Sequence, residues 1–217
     1  MAGKTKEAEI IEIRAMDLKT IPIKIVGDSP LIVHAWSEKA KLMMLGNQTK
    51  ETKTKAKEIR DPYDEFVNSL YWLTEKPKST PDAFDKAIKN GAKFGFSALA
   101  IKLAGNSAAY RMGWVKNQMA LRGSYFLKSE YGDMAEIISD PPIMREDMVR
   151  IGMGSADLRY RGEFQNWSMN LTLEYNASSN MTLEQIVNVI NAGGYVCGLG
   201  EWRPEKDGSF GRYHIEI

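Results

Sequence analysis

The sequence has few of the residues on which many chemical sites depend. Its 217 residues include one cysteine, Cys197, and two histidines, His34 and His214. A single cysteine excludes an internal disulfide and is typical of a reducing compartment. Zinc sites built from cysteine and histidine need more ligands than this chain has, and carboxylates that could hold Mg²⁺ show no recognisable spacing. We therefore expect neither a metal nor a cofactor.

Long apolar runs are also missing. The longest stretch without a charge, residues 185–200, contains polar amides and four glycines, so it could not cross roughly 30 Å of hydrocarbon without heavy cost. The first residues are polar and basic, with no apolar segment behind them, which argues against a secretory signal. We expect no membrane contact.

An excess of charge of either sign is absent as well. Twenty-nine basic and 28 acidic residues leave a net charge of +1, so a surface for a polyanion must come from local segregation of charge. A composition of 43% hydrophobic and 26% charged residues excludes disordered and fibrous classes,. The length suits one sizeable core, and no internal repeat or linker is visible, which predicts a single domain over 1–217.

Periodicity predicts an α+β fold. Apolar residues alternate over 21–26, 167–175 and 213–217, which is the pattern of half-buried strands,. Thr182 and Gln185 have the spacing of a capping box that opens an amphipathic helix. Strands near both ends with helices between them indicate this fold class.

Two insertions are predicted between residues 46 and 120. Residues 46–60 are rich in lysine, including Lys53, Lys55 and Lys57, and Ile59 is their one strongly apolar residue, so we interpret them as a mobile basic insertion,. Residues 61–120 are predicted to be helical, because Asp-Pro at 61–62 and Thr-Pro at 80–81 resemble helix starts.

A glycine-rich loop over 198–212 is the most informative passage. Arginines in such a loop suit phosphate oxygens, a lysine adds a point charge, and aromatic rings offer a base a stacking face. Glycine lets a ligand approach the backbone closely. The loop is neither a Walker A loop nor a dinucleotide fingerprint, and the alternative is a hairpin whose aromatic residues pack onto the core. The candidate binding residues are Gly198, Gly200, Trp202, Arg203, Lys206, Gly208, Phe210, Gly211 and Arg212.

A second candidate group mixes arginines with aromatic residues. Arg159 and Arg161 lie in such a stretch beside Tyr160 and Phe164, and this mixture suits a groove that follows a single strand. The alternative is a solvated surface crossed by core aromatic residues.

The chain resembles the RAMP superfamily, the RNA-binding proteins of CRISPR effector complexes. The resemblance lies in a helix followed by a glycine-rich loop and a closing strand, and in the strand and turn at 21–31. The resemblance covers about the first 45 and last 65 residues. It implies a ferredoxin-like, RRM-like antiparallel sheet, and it places the glycine loop and the 46–60 insertion beside nucleic acid. In some related subunits an aspartate after the first strand cleaves RNA, which would correspond to Asp28. One carboxylate without a base partner gives little support for nuclease activity, so we expect that the protein is not an enzyme.

The resemblance implies a non-catalytic backbone subunit of a CRISPR-like ribonucleoprotein that polymerises head to tail along a guide strand. Its partners would be single-stranded RNA or DNA, copies of itself and other effector subunits, in the cytoplasm of a prokaryotic or phage-infected cell. The alternatives are a phage-encoded single-strand binder, a multimeric phage structural or assembly protein, and a small nucleotide-handling enzyme.

Overall fold

A computed structural model describes residues 15–36, 41–42, 44–46, 60–151 and 154–217. The predicted insertion, with Lys53, Lys55 and Lys57, falls almost entirely on 47–59 and so lies outside the described residues. Within the described ranges, no helix is long and apolar enough to cross a membrane.

The elements follow one another in mixed order. The strands are β1 Leu18–Gly27, β2 Leu31–Val33, β3 Phe94–Ser97, β4 Tyr125–Lys128, β5 Met134–Ile137, β6 Ile143–Ile151, β7 Ser155–Phe164, β8 Ser168–Asn176 and β9 Tyr213–Glu216. The α-helices are α1 Pro62–Ser69, α2 Pro81–Lys89, α3 Ala98–Arg111, α4 Met119–Arg122 and α5 Leu183–Ala192. A π-helical turn, Gly193–Cys197, continues α5, and a 3₁₀ turn spans Pro204–Lys206.

The core is a ferredoxin-like sheet. Among the described strands, β4, β8, β1 and β9 lie in that order, and every neighbouring pair is antiparallel. Helix α3 falls between β1 and β4 along the chain, and α5 falls between β8 and β9. This is the split βαβ connectivity. The predicted α+β fold with a ferredoxin-like antiparallel core is confirmed.

The two faces of this sheet differ in polarity because side chains alternate along each strand. Ile23 and Ile25 on β1 are buried, and they lie opposite the buried Leu171 and Met169 on β8. Helices α3 and α5 contact each other, and both lie on this side. The alternate residues are exposed, for example Lys24, so the second face of the sheet is open and polar.

Two smaller sheets complete the architecture. Strands β6 and β7 form a long antiparallel hairpin, and β2 adds to β7. Helix α1 packs on β7. We refer to β6 and β7 together as the long hairpin.

The predicted helical segment 61–120 differs from the structure in two ways. Helices α1 and α2 begin as predicted, with Asp61 accepting a hydrogen bond from the Tyr63 amide and Thr80 accepting one from the Ala83 amide. Phe94–Ser97, however, forms β3 and pairs with β5. Helix α3 belongs to the ferredoxin-like core, so the segment is not one helical insertion.

Gly193 and Gly194 continue the helix as a π turn. A Cβ on Gly193 would lie 2.6 Å from the Gly105 nitrogen, and one on Gly194 would lie 1.9 Å from the Tyr213 oxygen. These glycines therefore allow α3, the π turn and β9 to approach closely.

We predict that Gly194→Ala destabilises the fold by about 1–3 kcal/mol, because an added methyl would overlap the β9 backbone. Gly123→Ala is the matched control, since a Cβ there meets no atom within 4 Å. Urea unfolding of both variants measures the difference, and equal stability would contradict this role of Gly194.

Candidate nucleic-acid interface

The glycine loop, Gly198–Arg212, is hydrogen-bonded to β2 and to the connection between β1 and β2. The Glu201 amide donates to the Ile32 carbonyl at 2.9 Å, and the Gly211 amide donates to the Pro30 carbonyl at 2.8 Å. The Arg212 amide donates to the Ser29 hydroxyl at 3.0 Å. Residues far apart in sequence thus meet at one end of the core sheet.

The loop's glycines serve its own folding. Gly198, Gly200 and Gly211 have φ angles of +66°, +69° and +65°, a region that residues with a Cβ rarely adopt. A Cβ on Gly200 would lie 2.1 Å from the Ile32 oxygen, and one on Gly208 would lie 1.7 Å from the Trp202 oxygen. The space that we expected a ligand to use at these two glycines is occupied by protein backbone.

Arg203 is held inside the loop. Its Nε and Nη2 donate to Glu205 at 3.0 and 2.8 Å, and its Nη1 donates to the Gly200 carbonyl at 3.0 Å. The hydrogen bond from Arg203 lowers the pKa of the Glu205 carboxyl, which also binds Arg111 at 2.7 Å. Sequence reasoning placed Arg203 on a phosphate, whereas this geometry makes it a loop-stabilising residue.

Arg212 has a different environment. Its guanidinium lies 5.3 Å from the centre of the Tyr195 ring, and Tyr195 is 69% exposed. Among the described residues, no carboxylate lies within ion-pair distance of Arg212. An arginine over an exposed ring, without a competing carboxylate, suits a phosphate beside a stacked base.

The remaining predicted loop residues divide between exposed and covered positions. Lys206 is exposed and has no ion-pair partner in the described part of the chain. Trp202 is 39% exposed and has a φ of +51°, a left-handed conformation that costs a residue with a Cβ about 1–2 kcal/mol. Phe210 is half-buried, with the Arg145 guanidinium 4.6 Å from its ring centre.

Three of the four arginines of the long hairpin are paired with carboxylates, whereas Arg150 is exposed and has no carboxylate within ion-pair distance among the described residues. Arg161 is buried and its Nη1 lies 3.1 Å from Asp147, while Arg159 lies 2.9 Å from Asp157. The register places Arg145 opposite Arg161, and Arg145 binds Asp147 and Glu163. The predicted basic groove is therefore internally paired at these three arginines, and the buried Arg161 is not a surface contact.

Asp28 and His214 form a pair that the sequence did not reveal. The His214 Nδ1 lies 2.7 Å from the Asp28 Oδ1, although 186 residues separate them. The Asp28 amide donates to the Arg212 carbonyl at 2.8 Å, so the pair lies beside Arg212. Asp28 thus has an imidazole neighbour that the sequence could not show, but both side chains are partly exposed, as in an ordinary surface ion pair, so the contact does not by itself indicate catalysis.

The other histidine and the cysteine have structural environments. Burial lowers the pKa of the His34 imidazole, and the nearby Arg161 lowers it further. Cys197 is buried, and burial raises the pKa of its thiol. Across the described ranges, no group of three or more histidine, cysteine, aspartate or glutamate side chains is placed to hold a metal ion.

Tyr195 is the candidate binding residue that sequence reasoning missed. It follows two glycines inside the uncharged stretch 185–200, and an aromatic residue in a glycine-rich passage was the available signal. Its pairing with Arg212 depends on the packing of the π turn against β9, which no local pattern encodes.

Comparisons with known proteins give little similarity. No protein-family model matches the chain, and no curated protein matches its sequence. Among solved structures, it is similar to a chain in the cryo-EM structure of the Type III-B Cmr-beta bound to cognate target RNA. The TM-score is 0.46 at 9% identity, over 92% of this chain and 59% of that chain. This chain thus spans less than two thirds of that protein's length, and a similarity at this level does not bear on what the chain binds.

Proposed function

We propose that the chain is a non-catalytic subunit that binds single-stranded nucleic acid, with RNA as the first candidate ligand. We also propose that copies of the chain assemble head to tail along the strand. This is the role of a backbone subunit in a CRISPR-like ribonucleoprotein. The observation that carries the proposal is Arg212, which lies over the exposed ring of Tyr195 without a carboxylate partner among the described residues.

The surroundings of Arg212 support the proposal. The ferredoxin-like sheet leaves one polar face open, as in the RRM modules that bind single strands. Lys206 and Trp202 lie on the same loop as Arg212, and they add a cation and a partly exposed ring. Because the net charge is only +1, each subunit contributes few phosphate contacts, and tight binding needs several subunits on one strand.

Two exposed apolar patches support assembly. On α3, Leu99, Leu103 and Tyr110 are each more than half exposed, and their spacing puts them on one helix face. On the long hairpin, Met148 lies opposite Leu158, and they are 70% and 43% exposed. Two different patches on one chain suit a heterologous contact, which forms a filament when it does not close into a ring.

We predict that Arg212→Ala weakens single-strand binding and reduces the slope of log affinity against log salt by about 0.7. Arg203→Ala is the matched control, since it removes the same charge from the same loop but breaks contacts to Glu205 and Gly200. We expect Arg203→Ala to lower stability and to leave the salt slope of the folded fraction unchanged. An unchanged affinity and salt slope in a folded Arg212→Ala variant would show that Arg212 does not contact a phosphate.

We also predict that binding is cooperative and depends on strand length. Strands of several tens of nucleotides should carry several copies, and very short ones should bind weakly. Mass photometry over a length series measures the stoichiometry. One copy per strand at every length would contradict the assembly, and multimers that form equally without nucleic acid would favour the structural-protein alternative.

A further inference from the structure

A pocket of about 450 Å³ lies between α1 and the end of β2, and none of the residues that line it belongs to the glycine loop. Three of its lining residues are aromatic and two are lysines. The lining consists of Ala35, Trp36, Lys41, Asn68, Leu70, Tyr71, Trp72, Lys76 and Met134.

The pocket combines fixed rings with an exposed one. The Trp72 indole N–H donates to the Val67 carbonyl at 2.9 Å, and its ring packs against Phe84 and Phe94. The Tyr71 ring packs edge-on against Phe96. Trp36, in contrast, is 64% exposed. Rings held by such contacts lose little freedom on binding, and the exposed indole offers a flat apolar face to a ligand.

A second pocket of about 480 Å³ adjoins the first, because Lys76 lines both. It adds Lys78, before α2, and Lys86, on α2. The two pockets together are lined by four lysines and one carboxylate, Glu75. Within the described ranges, Lys76, Lys78 and Lys86 have no carboxylate within ion-pair distance, although Lys76 donates to the Asn68 side chain at 2.8 Å.

Aromatic faces followed by unpaired cations match the chemistry of a nucleotide chain, in which a planar base alternates with an anionic phosphate. We propose that the two pockets form a second site for single-stranded nucleic acid. A base stacks on Trp36 in the first pocket, and the following phosphates lie along Lys76, Lys78 and Lys86. This site rests on the proposed function only in the class of its ligand, since it shares no residue with the glycine loop.

A uridine trinucleotide with a fluorescent label tests the site in the full chain, with fluorescence anisotropy as the readout. We expect a saturable rise in anisotropy, and Trp36→Leu should weaken binding by about tenfold. The double variant Lys76→Gln, Lys86→Gln should reduce the salt slope by about 1.4. Lys89→Gln is the matched control, because Lys89 is on α2 but lines neither pocket, and it should bind as the wild type does.

The site would be overturned if Trp36→Leu left the trinucleotide affinity unchanged, or if the Lys89→Gln control and the double variant had equal effects. It would also be overturned if uridine monophosphate bound as tightly as the trinucleotide, because the second pocket would then contribute nothing to binding. Arg212→Ala distinguishes the two sites, because it should weaken the binding of long strands and leave the affinity for the trinucleotide unchanged. If the wild type binds long strands but no trinucleotide, this inference fails alone. If it binds neither, the proposed function fails too.

Discussion

The backbone contact between the glycine loop and the connection after β1 is the constraint on which the rest of the structure depends. Hydrogen bonds from Gly211 to Pro30 and from Asp28 to Arg212 join chain segments that are almost the whole length apart. They hold β9 beside β1 and so complete the ferredoxin-like sheet. The contact is close because glycine removes the Cβ that would overlap the opposing carbonyl, as at Gly200,. The position of Arg212 over Tyr195 is a consequence of this backbone contact.

This constraint separates two kinds of arginine. Arg161 and Arg203 are paired with carboxylates within the fold, and detaching either would remove one of the two arginines that bind Asp147 or Glu205, which is costly for a buried or half-buried carboxylate,. Arg212 stays available, because its backbone is fixed by the loop while its side chain lies over a ring and meets no carboxylate among the described residues. In a chain whose charges nearly cancel, binding of a polyanion depends on such local differences.

Local patterns predicted the parts of the fold that local physics determines. Period-two alternation located β1, β8 and β9, and the Thr182–Gln185 capping box opens α5 as expected. The role of the glycines and the arginine pairings could not be predicted, because they depend on strand register and on contacts between distant segments. Asp147 binds Arg161 only because the hairpin aligns them, and Asp28 meets His214 only because β9 pairs with β1. Phe94–Ser97 was interpreted as helix because an alanine-rich and leucine-rich helix follows it directly.

The central claim, that this fold binds single strands through a few unpaired cations and exposed rings, is tested most directly by fluorescence anisotropy. A labelled single-stranded RNA of about forty nucleotides is titrated with the protein at low and at moderate salt, with the matching duplex in parallel. The account predicts saturable binding of the single strand that weakens steeply with salt, and weaker binding of the duplex, whose bases cannot stack on protein rings. No change in anisotropy at low salt, or a preference for the duplex, would contradict it.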